Sequence, residues 1–114
     1  MQIDAKKFLY DIREAISLLT EFTGGKTFDD YMQDSMLRAA VERELQIVGE
    51  AITQVARLDP QTAAGISEFR RIIAFRNILI HGYADVDNTL VWDVVEAKLP
   101  LLKQEIELLL QHES

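Results

Sequence analysis

Arg70, Arg71, Arg76, Asn77 and His81 fall within twelve residues, so three of the seven arginines and one of the two histidines share one short stretch. A guanidinium binds oxyanions through a fork of N–H donors, and an imidazole accepts and returns a proton. Phosphate recognition and acid–base chemistry are therefore within reach of this segment. Structural roles compete with both. A histidine in the last turn of a helix is equally well explained as a C-terminal charge or a surface group. Arg76 falls among apolar residues, where burying a guanidinium demands a carboxylate or several acceptors, and Glu44 is one candidate partner.

The stretch from Phe69 to His81 has helical periodicity, and at ~100° per residue Arg70, Ala74, Asn77 and His81 line up in one narrow stripe. Phe69, Ile72, Ile73, Leu79 and Ile80 fill a broad apolar side, with Phe75 and Ile78 on other flanks. That is more apolar surface than one edge of a bundle covers, so the helix is either central or covered by a partner. Arg76 projects into the apolar side, about 140° from His81 on an ideal helix. Three routes could bring the two together: the arginine curls back, the last turn unwinds at Gly82, or a second subunit completes the site. The last is the favoured expectation.

The rest of the chain reads as a helical scaffold for that segment. Phe8, Ile12, Ala15 or Ile16, Leu19 and Phe22 recur every three or four residues from Asp4, until Thr23-Gly24-Gly25 stops the pattern. Thr27 before Phe28-Asp29-Asp30 has the form of a helix start, and a short turn through Tyr31 leads to a long helix from about Asp34 to Leu58. Its stripe is Leu37, Val41, Leu45, Val48, Ile52 and Val55, with Glu44 near the centre of the wider apolar face. Asp59-Pro60 ends it, and Gln61 to Gly65 is a short helical turn or a loop. Ser67 is the expected cap of the arginine helix and Gly82 its terminator, with the left-handed backbone common beyond a helix end. Asp85, Asp87 and Asn88 supply turn and capping chemistry before Leu90, Val91, Val94 and Val95, with Trp92 packed beside them. Pro100 predicts a kink or break near Leu99, followed by a final helix carrying Leu101, Leu102, Ile106, Leu109 and Leu110. Nothing reads as strand. The expectation is one all-α domain over residues 1–114, an up-down bundle of four to five helices.

Composition narrows the functional classes. Apolar residues make up 48% and charged residues 27%, ordinary values for a soluble chain, and no apolar run is long enough to span a bilayer. The first residues lack the apolar core of a secretory signal and there is no cysteine, so a cytoplasmic setting without membrane attachment is expected. A formal charge of -7 argues against broad, non-specific nucleic-acid binding, so any such activity needs a local basic patch. Glu42, Glu44 and Glu50 follow a helical charge pattern without metal-ligand spacing, and Gly24-Gly25 lacks the lysine of a phosphate loop. No metal and no cofactor are expected. His112 falls in the polar tail Gln111-His112-Glu113-Ser114, expected to be disordered and solvated, and the C-terminal leucines suit a core, a dimer or docking of another protein.

Arg76-Asn77-Ile78-Leu79-Ile80-His81-Gly82-Tyr83 resembles the Arg-Asn-x-x-x-His-x-Tyr signature of HEPN domains, specifically the HepT-like toxins. The segment from Ala40 to Ala51, with Gly49-Glu50, resembles the long helix of that family, as do Val91-Trp92 and Leu99-Pro100. The resemblance spans nearly the whole chain. It implies a helical homodimer whose two motifs face one cleft, acting as a metal-independent endoribonuclease. His81 would take the proton of an RNA 2'-hydroxyl, Arg76 would stabilise charge on the phosphorus-bound oxygens, and Asn77 would position the substrate or Arg76. Arg70 and Arg71 would bind RNA, their doubling in a dimer giving the local basic cleft. Glu50 carries the family likeness too, although its helical angle leaves an interfacial or solvated role open. The resemblance further implies a toxin neutralised by an MntA-type minimal nucleotidyltransferase, which transfers AMP from ATP to Tyr83. Without it, Tyr83 reads as a packing tyrosine. Two other readings stay open. In one, a non-catalytic helical module binds a nucleotidyltransferase or a nucleotide. In the other, Arg76 and His81 only stabilise the bundle.

Overall fold

The computed structural model describes residues 1–82 and 86–112, and these are helical with no strand among them. Helix α1 runs Ile3–Thr23, α2 Phe28–Gln33, α3 Ser35–Leu58, α4 Pro60–Ala63, α5 Phe69–His81, α6 Asn88–Asp93 and α7 Leu99–Gln111. A π-helical segment, Val94–Lys98, joins α6 to α7 without a break. Counting that run as one helix, four main helices form the expected all-α bundle, with α2 and α4 as short connectors.

Local chemistry sets the boundaries. Thr27 accepts the Asp30 N–H while Asp30 accepts the Thr27 N–H, a reciprocal capping box that starts α2. Asp34 caps α3 through the Leu37 N–H, and Asp59 ends α3 while capping α4 through the Thr62 N–H. The Gln2 N–H and the Thr62 hydroxyl and N–H also donate to Asp59, which holds its carboxyl below the usual range. Pro100 would clash with the carbonyl of Glu96 and has no N–H to donate. The chain answers by widening: the Leu99 N–H donates to the Val94 carbonyl five residues back, so the expected break is a π-helical stretch instead.

Two expected caps take another form. Ser67 does not cap α5. Glu68 stands before it with left-handed backbone, φ 55°, and no side-chain cap, which turns Ser67 toward α7, where its N–H and hydroxyl donate to Glu105. Glu68 in turn binds Arg71 at 3.0 Å and Lys98 at 3.3 Å, and these contacts hold the unfavourable backbone in place. Gly82 does end α5, but with φ -87°, so left-handed freedom is not what it supplies. A Cβ there would lie 2.5 Å from the Ile78 carbonyl oxygen, and glycine is needed for room.

The core is the seam between α1 and α3, extended by α6 and α7. Leu9, Ile12, Leu19, Val41, Ile52 and Ile106 are fully buried. Tyr31 stacks on Trp92 with ring centroids 5.1 Å apart, tying α2 to α6. Burial, reinforced by Glu42 and opposed by Arg38, pushes the Tyr31 hydroxyl up to about 12. Arg38 also donates to the carbonyls of Tyr31 and Met32 at the end of α2. The molecule measures 42 × 28 × 19 Å, and its short axis is two helix layers deep. In so thin a body α5 is not central: of its residues only Leu79 is buried. No helix among the described residues is long and apolar enough to cross a membrane.

Candidate active site

Helix α5 lies against α3, and the two come close together where Gly49 faces Arg76. A Cβ on Gly49 would fall 2.3 Å from Arg76 Cβ and 2.6 Å from its Cγ, so the arginine stem occupies the space that the missing side chain leaves. Gly49 is buried within α3, where a glycine weakens the helix unless packing requires it. Here packing requires it.

Above that contact the Arg76 guanidinium is fixed from two sides. One terminal nitrogen donates to Glu50 Oε2 at 2.5 Å and the other to Asn77 Oδ1 at 3.0 Å, while the Nε–H is buried with no acceptor among the described residues. Glu50 Oε1 accepts from Gln54 Nε2 at 3.1 Å, and Gln54 Oε1 accepts from Arg57 at 3.1 and 2.8 Å. A polar chain thus runs Arg57, Gln54, Glu50, Arg76, Asn77 across two helices. A concavity of about 240 Å³ opens beside it, with Asp11, Arg43, Gln46, Glu50, Arg76 and Ile80 in its wall.

The carboxylate partner is Glu50 and not Glu44. Six residues separate the two on α3, roughly 9 Å along the axis and 240° around it, so only one can face α5. Glu44 is half-exposed and makes no ion pair with Arg76, which removes the need for a buried partner at that position.

The stripe on α5 is where the projection puts it. Arg70, Ala74, Asn77 and His81 are all exposed, and α5 stays helical through His81, so the last turn does not unwind. Within the described residues Arg76 binds Glu50 and Asn77, and no contact joins it to His81. Neighbouring residues on a helix ordinarily diverge, yet its guanidinium reaches Asn77, which places one edge of the positive charge at the stripe that ends in His81. Among the described residues, the His81 ring has no hydrogen bond or ion pair within the chain. Arg70 lies over the Phe69 ring at 5.1 Å, and Arg71, 82% exposed, pairs with Glu68. Tyr83 lies outside the described residues. His112 ends α7 and is exposed. Among the described residues, no group of three or more His, Cys, Asp or Glu side chains could hold a metal ion.

Sequence reasoning missed Gln54 and the role of Gly49. The signals were present: Gln54 stands four residues beyond Glu50, where helix side chains meet, and a glycine inside a long helix asks for a packing reason.

On its other side α5 borders an apolar groove of about 360 Å³ shared with α6, the π-helical segment and α7. Phe75, Ile78, Leu90, Val94, Leu101 and Leu102 line it, and Ile78, Leu90 and Leu101 are 48%, 42% and 45% exposed.

Residues 12–109 match the family model described as Ribonuclease HepT-like. A Methanocaldococcus jannaschii protein named as a candidate RNase is 34% identical over 92% of this chain and 95% of its own. The protein named "Probable ribonuclease HepT" from Thermococcus cleftensis is 36% identical over 94% of this chain and 96% of its own. A second Methanocaldococcus jannaschii protein, whose name joins a gamma-glutamylcyclotransferase to a candidate RNase, is 37% identical over 93% of this chain but only 47% of its own length. No solved structure matches the chain significantly.

Proposed function

The chain belongs to the HepT-like ribonuclease family and is a ribonuclease, and from that premise we propose that it is a toxin: a metal-independent endoribonuclease with His81 and Arg76 as its catalytic groups. The observation that carries this reading is the reach of the Arg76 guanidinium to Asn77, on the exposed stripe that ends in His81. His81 takes the proton of an RNA 2'-hydroxyl, the freed oxygen attacks the adjacent phosphorus, and the 5'-oxygen leaves carrying a proton from an imidazolium. The products are a 2',3'-cyclic phosphate and a 5'-hydroxyl. Arg76 offsets the negative charge that grows on the non-bridging oxygens, and Asn77 positions Arg76 or the substrate. Arg70 and Arg71 contribute phosphate contacts.

Cleavage of a defined RNA in chelator tests this. Intact protein should cut it, and Arg76→Ala and His81→Ala should each lose at least about 100-fold in rate. RNA left whole by the intact protein, or cut equally by both variants, overturns the reading.

The working unit is a homodimer with a composite site. The apolar groove supports this, because Ala74 and Ile78 in its wall adjoin Asn77 on α5, so a second copy seated there would bring two motif stripes near one another. Two sets of Arg70 and Arg71 would then make a basic cleft on an acidic particle. Neutralisation falls to a nucleotidyltransferase of the MntA type, which transfers AMP from ATP to Tyr83. The added phosphate charge and bulk, two residues from His81, would repel RNA from the cleft. Intact-protein mass should rise by one or more AMP adducts when enzyme and ATP are supplied, and not in Tyr83→Phe. A mass that stays unshifted, or a shift that survives Tyr83→Phe, removes this part.

A further inference from the structure

We infer that Glu50, held in turn by Gln54, is a positioning residue for the reaction: it fixes the Arg76 guanidinium across the face of α5 so that its free edge is presented beside Asn77 and His81. The inference rests on the reading of Arg76 as the group that stabilises the transition state.

On helical geometry alone Arg76 belongs on the α3-facing side, away from His81. Its guanidinium nevertheless sits with the Nε–H buried and without an acceptor among the described residues, and the side chain as a whole is only 25% exposed. A long flexible side chain escapes such a cost by swinging into water, so other contacts must outweigh it. The contacts present are the charged bond to Glu50 at 2.5 Å and the bond to Asn77 at 3.0 Å, which grip the two terminal nitrogens separately. Each terminal nitrogen keeps a second hydrogen for a phosphate oxygen, since a guanidinium carries five N–H donors. A preset donor is worth more to a transition state than one that must be organised during the reaction.

Glu50 is itself held from behind. Its Oε1 accepts from Gln54, whose own carbonyl oxygen accepts from Arg57, so both carboxylate oxygens are engaged although the Glu50 side chain is 47% exposed. Gly49 supplies the remaining condition, since only a residue without a side chain lets the Arg76 stem lie flat on α3 next to Glu50. Adjacent residues of α3 therefore provide the gap and the anchor. A different consequence of the same contact would be restraint, with Glu50 competing against RNA phosphate for Arg76, and the two have opposite signs in an assay.

The experiment is a double-mutant cycle in RNA cleavage with Glu50→Gln, Arg76→Ala and the combined variant, and with Glu50→Asp and Gln54→Ala beside them. Glu50→Gln should lower kcat about 10- to 100-fold with KM changed less than about threefold, the loss expected for a charge-assisted bond made to a transition-state group. Combined with Arg76→Ala it should cost nothing further, because both act through one guanidinium. Glu50→Asp should recover part of the rate, and Gln54→Ala should lose several-fold. A faster Glu50→Gln enzyme, or losses that multiply in the combined variant, overturns the inference. Hydrogen exchange at the Arg76 Nε–H, followed by NMR in the protein without RNA, gives a readout independent of cleavage. It should accelerate at least about tenfold in Glu50→Gln or Gln54→Ala, and an unchanged rate in both overturns the positioning role even if the chain cuts no RNA. If the intact protein fails to cut while exchange responds as stated, the catalytic reading fails and the anchoring of Arg76 stands. Should Glu50→Gln not fold, Gln54→Ala carries both measurements.

Discussion

Helices α3 and α5 carry the two halves of the candidate site but are held in opposite ways. Helix α3 buries eight residues, from Leu37 to Val55, against α1 and its neighbours, whereas α5 buries Leu79 alone. Both are rich in apolar side chains, so composition does not separate them. What separates them is coverage: α3 lies inside the two-layer body, and α5 lies at its edge with the groove along its flank. The anchor of Arg76 therefore stands on the deeply buried element, and the exposed stripe of Arg70, Asn77 and His81 on the one left partly uncovered. Groups that must be fixed profit from the first arrangement, and groups that must meet RNA or a second subunit need the second.

The strongest way to break this comparison is through stability. Ile52, fully buried in α3, should cost about 2–5 kcal/mol as Ile52→Ala, lowering Tm by roughly 10–20 °C in a domain of this size. Thermal unfolding followed by circular dichroism reads it. A drop below ~3 °C would mean that α3 is not the structural spine.

The same difference decides what the sequence made legible. Helix α3 could be read from Leu37, Val41, Leu45, Val48, Ile52 and Val55 because a single buried stripe repeats with the helical period. Helix α5 yielded its polar stripe equally well, since exposure of Arg70, Asn77 and His81 follows from 3.6 residues per turn. Its partner did not follow. Choosing Glu50 over Glu44 depends on which side of α3 turns toward α5, a fact of tertiary packing that lies 26 residues away in the chain. Ser67 misled for a related reason: its local pattern suits a cap, but Glu105, far along the chain, competes for it and wins. Pro100 foretold a disturbance without its form, because a break and a π-helical widening both accommodate the missing N–H.

A second test bears on the uncovered side. Ile78 is 48% exposed and lines the groove, so Ile78→Asp should cost the isolated subunit little, with Tm falling by less than ~4 °C. A carboxylate placed in an apolar interface is a different matter, for it must be desolvated without a partner. If a second copy covers the groove, the variant should run as a monomer by light scattering at concentrations where the parent is a dimer. Cleavage should fall with the dimer fraction if the site is composite. A dimer that survives Ile78→Asp locates the contact elsewhere and leaves α5 open to another partner.

The smallest stability effect is expected at the residue with the largest chemical one. His81 is exposed in the last turn of α5, and its ring makes no contact that folding has to conserve among the described residues. His81→Ala should melt within ~2 °C of the parent even while it abolishes RNA cleavage. A histidine that only stabilised the bundle predicts the reverse, a lower Tm with growth inhibition untouched. Measuring both quantities on one preparation separates the two. Loss of stability and activity together would show that the end of α5 is held through His81, and that the contrast between a fixed α3 and a loosely covered α5 does not extend to its last turn.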